Sequence, residues 1–257
     1  VSVHPTALIA PGAQVDATAE VGPFAVIGPK VRIGPGTKVG AHTVIEGDTT
    51  IGARNHIYHH ASVGADPQDL KFAGEDTKLV LGDDNLVREF TTLHKGTDGG
   101  GGVTRIGNKN LFMANSHVAH DCVVGNGCVL ANSVALAGHV QLGDFVTVGG
   151  LSAVHQFSRL GSYAFIAGGA MVVMDVPPYC TAQGDRAELA GLNTVGMTRR
   201  GFTDEQVSRV KDAYRTLFRS KLGLNEALAN VKAQHGGHSE IDALLEFIAS
   251  SKRGITR

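Results

Sequence analysis

"VGPFAVIGPKVRIGPGTKVG", residues 21–40, places an aliphatic residue at every sixth position, Val21, Ile27, Ile33 and Val39, and follows each with glycine. A six-residue period matches neither the 3.6-residue turn of a helix nor the two-residue alternation of a simple strand. It matches a short strand plus a turn, repeated as a β-solenoid. The same step extends back to Val3 and forward to Val63. It resumes at Leu81, Val87 and Leu93, and returns from Ile106 to Val172 after a second break. One buried aliphatic per hexad then fills the axis, and glycine is expected to supply tight corners.

Hexads of this [LIV]-G-x-x-x-x kind resemble the left-handed parallel β-helix family, in which three hexads complete one coil. The handedness comes from that resemblance, since the general crossover rule favours the opposite hand. The fold expected is mainly β, a left-handed parallel β-helix over residues 1–185 with a C-terminal α-helical domain over 186–257. "DVPPY" is expected to end the ladder, because Pro177 and Pro178 cannot donate backbone hydrogen bonds. From Arg186 the pattern reads as helical. Thr203 and Gln206 form a capping box, Asn225 and Ser239 are expected caps of two further helices, and His235 and His238 fall in the intervening loop. The helical module is suited to covering an open solenoid end.

Composition supports this frame. The chain has 257 residues with 34 Gly, no Trp, 5% aromatics and a formal net charge of -1. Small repeated contacts must therefore carry the packing, and the balanced charge argues against a nucleic-acid binder. The three cysteines are odd in number and form no CxxC pair, so they read as reduced thiols. No stretch approaches the roughly 18 apolar residues of a membrane span, and the N-terminus lacks a basic signal region. A cytoplasmic location is expected.

If three hexads make a coil, residues eighteen apart stack. His120, Gly138 and Gln156 then share one column, flanked by His139 and His155. The cluster permits two chemistries. Three histidines with an open fourth position can hold a catalytic zinc, as in the γ-class carbonic anhydrases, which this chain resembles in its repeat. Alternatively, His120 acts as a general base near neutral pH, Asp121 orients its ring, and the Gly138 N–H serves as an oxyanion donor. A non-enzymatic solenoid scaffold would need neither the histidine column nor the loop insertions.

"HVAHDCVVGN" (117–126), "LAGHVQLGDF" (136–145), "AVHQFSRLGS" (153–162), "DVPPY" (175–179), "RRGF" (199–202) and "RGITR" (253–257), in this order and spacing, resemble the acyl-carrier-protein-dependent UDP-N-acetylglucosamine O-acyltransferases of lipid A biosynthesis. The resemblance covers nearly the whole chain. It implies transfer of a 3-hydroxyacyl chain from the thioester of acyl carrier protein to the 3-hydroxyl of UDP-N-acetylglucosamine. It implies His120 as base, Asp121 as its partner, the Gly138 amide as oxyanion donor, no covalent acyl-enzyme, no cofactor and no metal. It also implies a homotrimer with clefts between subunits. Cys122 reads as a small packing residue.

The first interruption, "GADPQDLKFAGEDTK" (64–78), reads as an external loop. By resemblance Gln68, Asp69 and Lys71 contact the substrate. His94, His117, His139, His155 and Gln156 line the cleft in the family, and Asn193, Arg199 and Arg200 match positions near the nucleotide. "GGGG" (99–102) reads as a flexible loop rather than a phosphate cradle. Gly168 stands where the family measures the acyl chain, and its lack of a side chain implies a long one. Arg199, Arg200, Arg209, Lys211, Arg215, Arg219 and Lys221 suggest a docking surface for an acidic carrier protein. Asp185 stands where the family has Asn and Val195 where Glu is common, which leaves room for an acceptor with a 3-amino group.

Overall fold

The computed structural model describes residues 2–257. Short strands, mostly two residues long, alternate with turns and assemble into three parallel sheets whose neighbours come from successive coils. Sheet A runs from Ser2–Val3 to Phe165–Ile166 and then Cys180–Gln183, sheet B from Leu8–Ile9 to Met171–Val172, and sheet C from Gln14–Val15 to Arg159–Leu160. Each two-residue strand carries one outward residue and one apolar hexad residue directed to the axis. Ile27, Ile45, Ile57, Leu93, Phe112, Leu130, Leu136 and Ile166 are wholly excluded from solvent. Each such side chain contributes roughly 1.5–3 kcal/mol of transfer free energy.

The expected role of glycine needs correction. Left-handed backbone at the corners is carried mainly by other residues, among them Phe24, His60, Asp121, His139 and Phe157. The glycine after the aliphatic answers a different need, close approach between coils. A Cβ on Gly34 would lie 2.6 Å from the Gly52 carbonyl oxygen.

Both interruptions leave the coil at the same corner, between sheets B and C. Ile51 pairs with Leu81, thirty positions on, and Leu81 with Ile106, twenty-five on, whereas Val124 pairs with Leu142 at the regular eighteen. The chain absorbs twelve and seven extra residues there without losing the sheet register on either side. Lys95 pins the first excursion, with Nζ 2.8 Å from the Asp66 carboxylate and 5.0 Å from the centre of the Phe72 ring.

The ladder does not end at Pro177 and Pro178. Val176 N–H donates to the Arg159 carbonyl and Tyr179 N–H to that of Ser162, so the prolines occupy corner positions whose missing donors are not needed. Ile166 then pairs with Ala182 in one more parallel step. The chain turns at Gly184, in left-handed backbone, and returns as the antiparallel strand Glu188–Leu192. The helical pattern expected from Arg186 therefore begins later. Ala187 and Leu189 are buried while Glu188 and Ala190 are exposed, a strand alternation.

Four helices follow: α1 (Thr194–Arg199), α2 (Asp204–Phe218), α3 (Leu224–His235) and α4 (Ser239–Ala249). The Thr203–Gln206 capping box is formed. The other two expected caps are corrected. Gly223 precedes α3, placing Asn225 inside its first turn, and His238 precedes α4. His235 is the last residue of α3 rather than part of the loop. Tyr214 of α2 joins the solenoid core, with Leu192 and Phe218 packed against it, so the module closes the C-terminal end of the prism.

Candidate active site

The corner that releases the two insertions carries the histidines one coil further on. His120 and Asp121 lie between the sheet B strand His117–Val118 and the sheet C strand Val123–Val124. The eighteen-residue register holds here. His117 pairs with Ala135 and Ala135 with Ala153, and His139 N–H donates to the His120 carbonyl at 3.0 Å.

Asp121 organises the site. It adopts left-handed backbone, tolerable for a short polar side chain, and its side chain is fully buried. Oδ1 accepts from Thr97 N–H at 2.9 Å, and Oδ2 accepts from Thr97 Oγ1 at 2.6 Å. The same Oδ2 lies 2.8 Å from His120 Nδ1, while Asp121 N–H donates to Thr104 Oγ1. A carboxylate can only accept, so Nδ1 of His120 carries the proton and Nε2 is left as the basic nitrogen.

Nε2 faces Gly138. A Cβ at that glycine would lie 2.6 Å from Nε2 and 2.5 Å from Cε1. The Gly138 N–H falls between the ladder bonds from Ala137 to Val154 and from His139 to His120, with no backbone acceptor among the described residues. A free donor beside the basic nitrogen suits a reacting oxygen that develops negative charge.

The surroundings disfavour charge on His94, His117 and His139. His94 is 4% exposed, and burial, with His117 and His120 adding to it, lowers its pKa to about 4. His117 is lowered by burial and by His120, and its Nδ1 lies 2.7 Å from Thr92 Oγ1. His139 is also lowered by burial, against the opposing pull of Asp121 and, more weakly, of Asp69 in the first inserted loop. It meets His120 edge to face at 5.1 Å and stacks on Phe157 at 4.4 Å.

The three-histidine cluster read from the spacing does not form as a ligand set. The candidate ligand atoms that come together, within 4.8 Å of one another, belong to His120, Asp121 and His139. His155 instead turns its Nδ1 to Arg253 at 2.7 Å. Gln156, one coil above Gly138, is exposed.

The remaining expected residues are dispersed. Gln68 and Lys71 are exposed on the first loop, where Asp69 accepts the Lys71 N–H. Gly168 is open at the A–B corner. Asn193 caps α1, accepting from Gly196 N–H and donating to the Tyr163 carbonyl, so its amide is already engaged. Arg199 is exposed, and Arg200 lies over the Phe145 ring at 4.5 Å. The expected seven-cation surface is smaller than its sequence suggests. Arg209 is tied to the buried Glu240, and Arg219 to the Leu189 carbonyl and the Tyr214 hydroxyl.

Sequence reasoning missed Thr97, Thr104 and Gly100. The "GGGG" segment begins in a short 3-10 turn, Asp98–Gly100, lying on Asp121 so closely that a Cβ on Gly100 would overlap the carboxylate. The second interruption of the hexads was the available signal, since it falls one coil before the His-Asp pair.

Residues 175–256 match the family domain described as UDP-N-acetylglucosamine O-acyltransferase, domain 2, and residues 12–47 and 104–138 match the six-repeat bacterial transferase hexapeptide. An acyl-[acyl-carrier-protein]–UDP-N-acetylglucosamine O-acyltransferase from Myxococcus xanthus is 67% identical over 255 residues, 99% of each chain. The chain belongs to the UDP-N-acetylglucosamine O-acyltransferase family. Another member of this family, from an Anaeromyxobacter strain, is 57% identical over the full length of both chains. The crystal structure of the UDP-N-acetylglucosamine O-acyltransferase from Moraxella catarrhalis superposes with a TM-score of 0.96 at 44% identity, covering 100% of each chain. The solved structure of the UDP-N-acetylglucosamine acyltransferase from Campylobacter jejuni gives 0.94 at 38% identity and 99% coverage of both. The coil is accordingly a left-handed parallel β-helix, against the general crossover preference.

Proposed function

We propose that this chain transfers a 3-hydroxyacyl group from the thioester of acyl carrier protein to the 3-hydroxyl of UDP-N-acetylglucosamine, the first step of lipid A biosynthesis, with no cofactor. The observation that carries the mechanism is the His120 ring held between Asp121 and Gly138. Nε2 removes the proton from the sugar hydroxyl as its oxygen attacks the thioester carbonyl. Asp121 stabilises the imidazolium that forms, and the Gly138 N–H receives the charge on the carbonyl oxygen. Collapse of the tetrahedral intermediate breaks the carbon–sulfur bond, and the imidazolium returns its proton to the departing thiolate.

Cys122 supports transfer without an acyl-enzyme. Burial pushes its thiol up to about 12, and Sγ donates to the Ala137 carbonyl, so no thiolate is available. An apolar hollow of about 430 Å³ over sheet B, lined by Ala135, Ala137, Ala153, Met171 and Val173 with His117 and His155 at its edge, suits an acyl chain. On this reading the hollow is one half of a cleft that a second subunit completes in a cytoplasmic homotrimer. Gln68, Asp69, Lys71 and His94 then meet the acceptor, and Arg199 and Arg200 serve the nucleotide or the carrier. Among the described residues no helix is long and apolar enough to cross a membrane.

The test incubates the protein with UDP-N-acetylglucosamine and a panel of hydroxyacyl carrier proteins, with and without chelator, alongside His120→Ala. Turnover that survives chelation and disappears in the variant supports the proposal. Chelator-sensitive turnover supports metal chemistry instead, and absence of turnover with every donor overturns the acyltransferase reading.

A further inference from the structure

The last residues fold back along the solenoid. Asp175 N–H donates to the Gly254 carbonyl and Thr256 N–H to the Asp175 carbonyl, so the tail runs as a parallel bridge beside Asp175. Ile255 and Thr256 are buried there. Ser251 Oγ and Arg159 Nε both donate to the Asp175 carboxylate, and Arg159 reaches on to the Phe247 carbonyl. The segment is anchored by backbone, side-chain and apolar contacts.

These contacts fix Arg253. Its Nε donates to the Val173 carbonyl at 2.7 Å, and its Nη2 lies 2.7 Å from Nδ1 of His155. Nδ1 of His155 is also 3.1 Å from the Gln156 carbonyl oxygen. The two neighbours make opposite demands. A guanidinium only donates and a carbonyl only accepts, so Nδ1 must be bare to satisfy Arg253 or protonated to satisfy Gln156. The shorter, charge-assisted contact to an arginine pinned at its other nitrogen decides for the bare form.

We infer that Arg253 is a positioning residue that holds neutral His155 as the Nε2–H tautomer, aiming a hydrogen-bond donor into the substrate hollow. The consequence is chemical. His155 edges a hollow whose lining is otherwise apolar apart from His117, so one fixed N–H there selects a substrate oxygen and orients the chain that carries it. With Nδ1–H instead, the ring would present a lone pair, which repels a carbonyl or phosphate oxygen and accepts only from a hydroxyl. The C-terminal strap thereby becomes part of the binding machinery through His155, without touching substrate itself.

This inference rests on the acyltransferase reading for its purpose but not for its first test. Nitrogen-15 histidine spectra of the full-length protein, recorded without substrate at pH 8 and assigned with His155→Gln, report the tautomer directly. The expected result is a bare Nδ1 and a protonated Nε2 on His155; a protonated Nδ1 overturns the inference whatever the protein's activity. Arg253→Met, checked for an unchanged fold by circular dichroism, should mix the two tautomers and lower kcat/KM about tenfold. An unchanged His155 spectrum in that variant would equally defeat the assignment.

Discussion

The Oδ2 atom of Asp121 stands 2.8 Å from Nδ1 of His120, its chain neighbour, and only 3.8 Å from Nε2 of His139 on the next coil. Adjacent residues rarely face each other along a strand, where side chains alternate. Here the left-handed backbone of Asp121 turns its carboxylate back toward the preceding ring. That geometry makes both residues testable.

Asp121→Asn should lower kcat with little change in KM. The carboxylate accepts from Thr97 N–H, Thr97 Oγ1 and His120 Nδ1. An amide has one accepting oxygen, so at least one of these donors must face an NH₂ group. The imidazolium also loses its counter-charge. A fall in kcat on the order of 10² is expected in single-turnover assays, and His120→Ala should cost about 10²–10⁴.

Gly138→Ala separates activity from folding. The added methyl meets His120 Cε1 and Nε2 at 2.5 and 2.6 Å and must displace the ring. Because Gly138 is not in left-handed backbone, the substitution brings overpacking of about 1–3 kcal/mol and no backbone strain. Turnover should fall by two orders of magnitude or more while the thermal transition remains cooperative. A variant with ordinary turnover would show that Nε2 and the Gly138 amide do not share the reacting oxygen.

Gly168→Met tests chain measurement. Gly168 is open at the A–B corner, and an added Cβ would approach only the Gly150 backbone, at 3.3 Å from its carbonyl oxygen. The longer side chain can therefore be housed, and if Gly168 measures the chain as proposed from the family resemblance, it would occupy space that a long acyl chain needs. Mass spectrometry of the product should show a shift toward shorter chains in the variant. Strong preference of the unsubstituted protein for a ten-carbon chain would contradict the role.

Much of this architecture could be read from one-dimensional spacing, because a solenoid converts sequence offset into spatial distance. Val21, Ile27 and Ile33 announce an axis of buried aliphatics, and once the family resemblance supplies three hexads per coil, His120 and Gly138 become neighbours by counting to eighteen. What counting could not supply was local geometry. Proline at 177 and 178 stops a ladder only where its nitrogen would have donated, and corner positions do not ask it to. Thr97 and Gly100 reach Asp121 through an insertion that breaks the count, so their register gave no warning of the contact, whereas Thr104 lies in a strand already back in the regular register, with Arg105 paired to Val123. Arg253 and His155 lie ninety-eight residues apart and meet only because the tail folds back.

Acid stability should carry the signature of His94. Its folded pKa is lowered to about 4, from an ordinary value of 6.5, with burial as the largest cause. Above pH 6.5 the ring is neutral in both folded and unfolded chains and exerts no effect. Between 6.5 and about 4 the unfolded chain binds a proton that the folded chain refuses, so stability falls as pH falls. The difference amounts to about 3 kcal/mol from this residue, and His117 and His139, also lowered by burial, act in the same direction. Below about pH 4 the His94 contribution levels off because both states are then protonated. His94→Phe removes the proton-binding group and should flatten this limb, even if the substitution shifts the whole curve. The check is the urea midpoint measured from pH 4 to pH 8 for both proteins. Curves that run parallel through the acid range would mean that the His94 ring is not held neutral in the folded chain.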